Sequence, residues 1–129
     1  MFLTHYDSAA PTRAEIDGQA GPLLLEFGTN WCGHCQAAQP LLAAAWAQVV
    51  APVVARAAAA GQPAPRHVKV EDGPGRALGR SFRVKLWPTL VLLRDGQELA
   101  RLVRPADPAE LARALALLVT PPAPVPPRA

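Results

Sequence analysis

The sequence predicts an α/β fold in which one central mixed β-sheet is flanked by helices on both faces. Three observations carry this expectation. Segments with strand and helix patterns alternate in the order β-α-β-α-β-α-β-β-α. PLLLEFG (22–28) is a short apolar run between Gly21-Pro22 and Gly28, with the length and flanks of a strand buried on both faces. Asp95-Gly96 divides TLVLLRDGQELARLV (89–103) into two β runs, a hairpin signal that adds antiparallel pairing to connections otherwise long enough for parallel strands.

Taken in order, FLTHY (2–6) reads as a first strand. Residues 10–17 form a short helix after Pro11, closed by Asp17-Gly18. After the 22–28 strand a long helical pattern starts at Cys32 and Cys35. Leu42, Trp46, Val49, Val50 and Val53 recur in it at helical spacing, while Pro40 and Pro52 should kink or interrupt it. GQPAP (61–65) ends that helix, RHVKVE (66–71) alternates as a strand, and DGPGRALGRSF (72–82) gives a loop and a short helix. The last helix, 107–119, has Asp107 as N-cap, Pro108 at its first position and Glu110 three residues after the cap. Leu111, Leu115 and Leu118 form its apolar stripe. TPPAPVPPRA (120–129) cannot continue it and is expected to be disordered, so the folded domain is placed at residues 1–119.

The chain has 129 residues, half of them hydrophobic, which suits one domain with a real core. MFLTHYDSAAPTR lacks a basic n-region followed by an apolar h-region, so a cytoplasmic, reducing setting is expected. LLAAAWAQVVAPVVARAAAA (41–60) reads as a packed helix rather than a membrane span, because Gln48, Pro52 and Arg56 interrupt it. The net charge is +3, and the basic residues cluster between Arg76 and Arg104 against only Asp95 and Glu98. This reads either as a solvated basic face or as a preference for acidic protein partners. Neither an aromatic-rich RNA motif nor a basic helix accompanies it, so nucleic acid is not expected as a partner.

Two cysteines cannot staple a secreted scaffold, so the pair in EFGTNWCGHCQ (26–36) matters for its reactivity or not at all. Cys32 follows a buried strand and opens a helix, where free backbone N–H groups and the helix dipole stabilise a thiolate. Cys35 lies one turn on, within disulfide reach. This arrangement suits Cys32 as the attacking thiolate and Cys35 as the thiol that resolves the mixed disulfide. A zinc site needs further ligands; His5 and His67 sit on separate segments, and no metal is expected. Glu26 shares a strand face with Leu24 and Gly28. Burial there should raise its pKa and let it accept a proton from Cys35; a strand-end carboxylate reaching solvent is the alternative. Trp87-Pro88-Thr89 opens a β run, and its proline is either an ordinary strand-opening residue or a cis residue in a tight turn.

Together these residues resemble the thioredoxin superfamily. The match is Trp31-Cys32-Gly33-His34-Cys35, Pro40 a turn or so later, Trp87-Pro88-Thr89, and the Asp95-Gly96 hairpin before a last helix, covering residues 2–119. The resemblance implies a thioredoxin fold with Cys32 exposed and Pro88 cis beside the dithiol. It also implies a substrate surface formed by Trp31, Gly33, Trp87, Pro88 and Thr89, on which the backbone at Trp87 pairs with an extended segment. Glu26-Phe27 with Cys-Gly-His-Cys is similar to the catalytic domains of protein disulfide isomerase, whereas thioredoxin usually has Asp and Cys-Gly-Pro-Cys. Arg104 stands where thioredoxins usually have Gly on the docking surface, which should narrow partner choice. In disulfide isomerase domains a nearby loop Arg is proposed to assist the second cysteine, and Arg104 is offset from that place.

The resulting expectation is a cytoplasmic thiol-disulfide oxidoreductase without a cofactor, serving cell redox homeostasis. It reduces protein disulfides and takes electrons from an upstream donor such as a thioredoxin reductase. A disulfide oxidase or isomerase, and a binding module with an incidental dithiol, are the alternatives. A protonated His34 beside the Cys32 thiolate would lower its pKa by about one to two units. That covers part of the roughly 90 mV separating thioredoxin from disulfide isomerase.

Overall fold

The computed structural model describes residues 1–120; the expected disorder of the proline-rich end falls outside the described residues from 121 onward. Its elements are α1 (Arg13–Asp17), β1 (Pro22–Gly28), α2 (Gly33–Ala45), a π-helical turn (Trp46–Val50), α3 (Ala51–Ala60), β2 (Arg66–Glu71), α4 (Ala77–Ser81), β3 (Thr89–Arg94), β4 (Gln97–Val103) and α5 (Pro108–Val119).

The four strands form one sheet in the order β2-β1-β3-β4. β1 runs parallel to β2 and antiparallel to β3, and β3 and β4 form the hairpin turned at Asp95-Gly96. Every residue of β1 is buried, as expected of a central strand covered on both faces. Its alternating side chains divide the core. Leu24 packs with Leu42, Trp46, Val50, Leu90, Leu111 and Leu115, under α2 and α5. Leu23, Leu25 and Phe27 pack on the opposite face with Ile16, Leu78, Phe82, Val91 and Leu93, under α1 and α4.

The long helical pattern is continuous from Gly33 to Ala60 but changes register at Trp46–Val50. There the Ala51 N–H bonds to the Trp46 carbonyl, five residues back. Pro52, which has no N–H to give an α-helical ladder, follows that wider turn directly, so the interruption expected of it takes the form of a π-bulge. Gly33–Ala60 is long and apolar enough to cross a membrane. In this fold Leu42, Ala45, Trp46 and Val50 seat one side of it in the core.

One expected element does not form. FLTHY makes no strand; only Asp7 bridges to Val70, through Asp7 N–H to the Lys69 carbonyl and Glu71 N–H to the Asp7 carbonyl. Upstream of Asp7 the segment is tied by side chains instead. The Leu3 N–H is taken by Nδ1 of His67 at 2.8 Å, Tyr6 exchanges two bonds with the Asn30 amide, and Phe2 stacks on His67 at 4.7 Å. A strand propensity was present, but the side chains of the neighbouring strand offered the stronger partners.

Candidate active site

The site lies where β1 ends and α2 begins, at the carboxyl edge of the central strand. Cys32 is the N-cap of α2: its Sγ accepts the Cys35 N–H at 3.4 Å, and the His34 N–H also points to it. Burial works against the thiolate. The Cys35 thiol, the backbone N–H groups of Cys35 and His34 and the Arg104 charge outweigh it, and the Cys32 pKa falls below that of an ordinary thiol. What His34 brings to the sulfur is thus its backbone N–H.

Cys35 is the opposite case. It is 2% exposed, and burial followed by the Cys32 sulfur pushes its thiol up to about 11. Gly28 makes its seat possible. A Cβ on Gly28 would stand 2.6 Å from the Cys35 Sγ and 2.7 Å from the Tyr6 Oη, so both atoms converge over the bare end of β1. A cavity of about 140 Å³, lined in part by Tyr6, Thr29, Cys35 and Lys69, reaches this pair. A larger cavity, about 900 Å³ along β2 and the N-terminal segment, touches neither sulfur.

Glu26 is 2% exposed, so the buried alternative holds. Its Oε1 accepts from His67 Nε2 at 2.9 Å; its Oε2 accepts from Lys69 Nζ at 3.0 Å and from the Tyr6 hydroxyl. Because Nδ1 of His67 accepts the Leu3 N–H, the ring proton sits on Nε2 and is donated to Glu26. Burial alone would raise this carboxyl, as the sequence suggested. The His67 hydrogen bond, the Lys69 charge and the Tyr6 hydroxyl reverse that, and the pKa falls below the usual carboxylate range. The expected rise is therefore corrected: Glu26 is a satisfied carboxylate, and Tyr6 stands between it and Cys35. The same burial and the same carboxylate drive the Tyr6 phenol far upward, so it remains a donor.

Tyr6 and Lys69 were not singled out in the sequence, and His67 was weighed only as a zinc ligand. The available signal was register: His67 and Lys69 share a face of β2 and stand opposite Leu24 and Glu26 of β1. Two basic residues on one face of a strand beside a buried Glu are a buried ion cluster in outline.

Of the other expected site residues, Trp31 and Gly33 flank Cys32 in the chain and Trp87 packs on it. Trp31 is 72% exposed and meets Trp87 edge-on at 5.8 Å, while Trp87 packs against Tyr6, Cys32 and Cys35. The Trp87 indole donates to Asp72 at 2.9 Å, and the Trp87–Pro88 peptide is cis. Gly33 is exposed, with open space where a Cβ would go. Cys32 is only 8% exposed, less open than the resemblance implied, with Trp87 packed against it. Thr89 departs from its expected place on the substrate surface: it is 1% exposed, and its hydroxyl donates to the Leu86 carbonyl. Arg104 adopts φ +49°, the left-handed region that explains why Gly is usual there. Among the described residues no three His, Cys, Asp or Glu side chains gather as a metal site.

A Thioredoxin family model matches residues 7–116. The chain belongs to the thioredoxin family. It is 30% identical over 103 residues to a thioredoxin of Mycolicibacterium smegmatis, covering 78% of this chain and 81% of that protein. It is also similar to thioredoxin 2 of Pseudomonas aeruginosa PAO1 in its reduced form. That likeness is 54% identity and a TM-score of 0.73, over 92% of this chain and 97% of the other. A thioredoxin-like protein of Edwardsiella tarda, 27% identical, matches with a TM-score of 0.61. As a member of this family the chain is a thiol-disulfide oxidoreductase acting on protein disulfides, and the Cys32–Cys35 pair has the spacing that activity needs.

Proposed function

We propose that this thioredoxin reduces disulfides in other proteins, with Cys32 attacking and Cys35 resolving. The observation that carries the reading is the division between the two sulfurs. One has its pKa lowered at a helix N-terminus, which favours its thiolate; the other is pushed up to about 11 behind it and keeps its proton until needed. Cys32 opens the substrate disulfide to a mixed disulfide and one substrate thiol is released. Cys35 loses its proton and attacks Cys32, closing the Cys32–Cys35 disulfide and releasing the second substrate thiol. Two electrons have then passed from the dithiol to the substrate. The oxidised protein is returned to the dithiol by an upstream donor of the thioredoxin reductase class. Action in the cytoplasm, in support of cell redox homeostasis, fits a dithiol that must be kept reduced.

Insulin reduction driven by dithiothreitol is expected with the unmutated chain and absent in Cys32→Ser; a variant reducing insulin at the normal rate would overturn the assignment. The two thiols should also separate on titration. Alkylation of Cys32 rises through a midpoint below that of an ordinary thiol, while Cys35 resists alkylation until the pH nears about 11. Mass-resolved labelling against pH distinguishes them.

A further inference from the structure

Arg104 is exposed, yet its side chain is fixed. Its backbone N–H bonds to the Pro88 carbonyl at 2.9 Å, and its Nε bonds to the Trp87 carbonyl at 2.8 Å. These two bonds hold a residue in a conformation that side chains rarely adopt, φ +49°. They aim the guanidinium across the loop that packs on Cys32, close enough for its charge to act on that sulfur. Only Nε is used; both terminal nitrogens are without a hydrogen bond or ion pair among the described residues. The acid that meets Trp87, Asp72, is engaged by the indole N–H, and the acid nearest Arg104 in the β4 sequence, Glu98, is paired with Arg101. The rim beside the attacking sulfur therefore carries a preset, unneutralised two-donor fork, a shape that suits a carboxylate.

We propose that Arg104 selects substrates: the preferred partner is an extended polypeptide segment with an Asp or Glu side chain within a residue or two of its reacting cysteine. This rests on the reductase reading above and names its substrate class. Binding places the carboxylate on the free edge of the guanidinium. The Trp87 carbonyl bond keeps that edge from swinging away, so little side-chain freedom is lost on contact. An Arg presented on a flexible stem would give a weaker preference.

The test uses two disulfide-bonded peptides that differ only in Glu or Lys beside the cysteine, with single-turnover reduction by the reduced protein followed by tryptophan fluorescence. At low salt the Glu peptide is expected to react about five- to tenfold faster, the ratio falling towards one as salt screens the pair. Arg104→Gly, which suits the positive φ, should bring the ratio to about one at low salt, and Arg104→Glu should invert it. Any effect of the lost cation on the Cys32 thiolate falls on both peptides and cancels in the ratio. Equal rates with the unmutated chain, or a preference that survives Arg104→Gly, overturn the proposal. Insulin reduction measured alongside separates the two readings. Insulin reduced with a ratio near one overturns the substrate preference alone; no reduction of insulin or either peptide overturns the reductase reading as well.

Discussion

Arg104 and Lys69 are both cations set close to the dithiol, and they act by opposite physics. Arg104 stands in solvent, tethered by one backbone carbonyl, and its charge reaches Cys32 through a strongly screening medium. Lys69 is 2% exposed; its ammonium touches Glu26, Gln39 and the face of Tyr6, at 4.2 Å from the ring centroid. The surface cation is free to choose a partner. The buried one has its partner built in, and removing it leaves a carboxylate stranded. Position in the dielectric, more than the type of charge, separates a recognition group from a structural one.

The largest effect should come from breaking the buried side. Lys69→Met leaves Glu26 without its counter-charge and should cost about 3–5 kcal/mol in urea unfolding; a loss under about 1 kcal/mol would erase the contrast. The pH dependence has a definite sign. Because the folded Glu26 carboxyl is held below its ordinary value, its contribution is complete above about pH 4.3 and is lost as the pH falls through the folded value. Glu26→Gln should remove that part of the acid limb from a stability-pH curve. Gly28→Ala comes next. Its methyl would meet the Cys35 sulfur and the Tyr6 hydroxyl at under 3 Å, so about 1–3 kcal/mol is expected, with slower closure of the disulfide after attack. Arg104→Gly should be the smallest and of opposite sign. Relief of the left-handed backbone offsets the lost bond to Trp87, and thermal unfolding should show a gain of up to about 1 kcal/mol. A loss as large as that of Lys69→Met would mean the surface cation is structural too.

Legibility in the sequence followed the range of the interactions. PLLLEFG and RHVKVE became strands at the expected residues because glycines, prolines and alternation set their limits locally. The last helix begins at Pro108 with Asp107 as its cap for the same reason. The dithiol's place at a helix N-terminus was also local and was legible. What was hidden depended on pairing across the sheet. The Glu26 environment is made by residues 20 to 43 positions away, and those partners decided the direction of its pKa. The missing first strand has the same origin, since His67 captured the Leu3 N–H that a ladder would have used.

That substitution of side-chain ties for a strand ladder reaches beyond topology. Residues 2–6 cover the Glu26 cluster but share no continuous run of backbone bonds with the sheet. Segments held this way detach in local openings that cost far less than global unfolding. Water can then reach the buried acid while β1, β2 and the dithiol stay in place. How long Glu26 keeps its protonation state is thus governed by the breathing of five residues, and how long the domain stays folded by the rest of the chain.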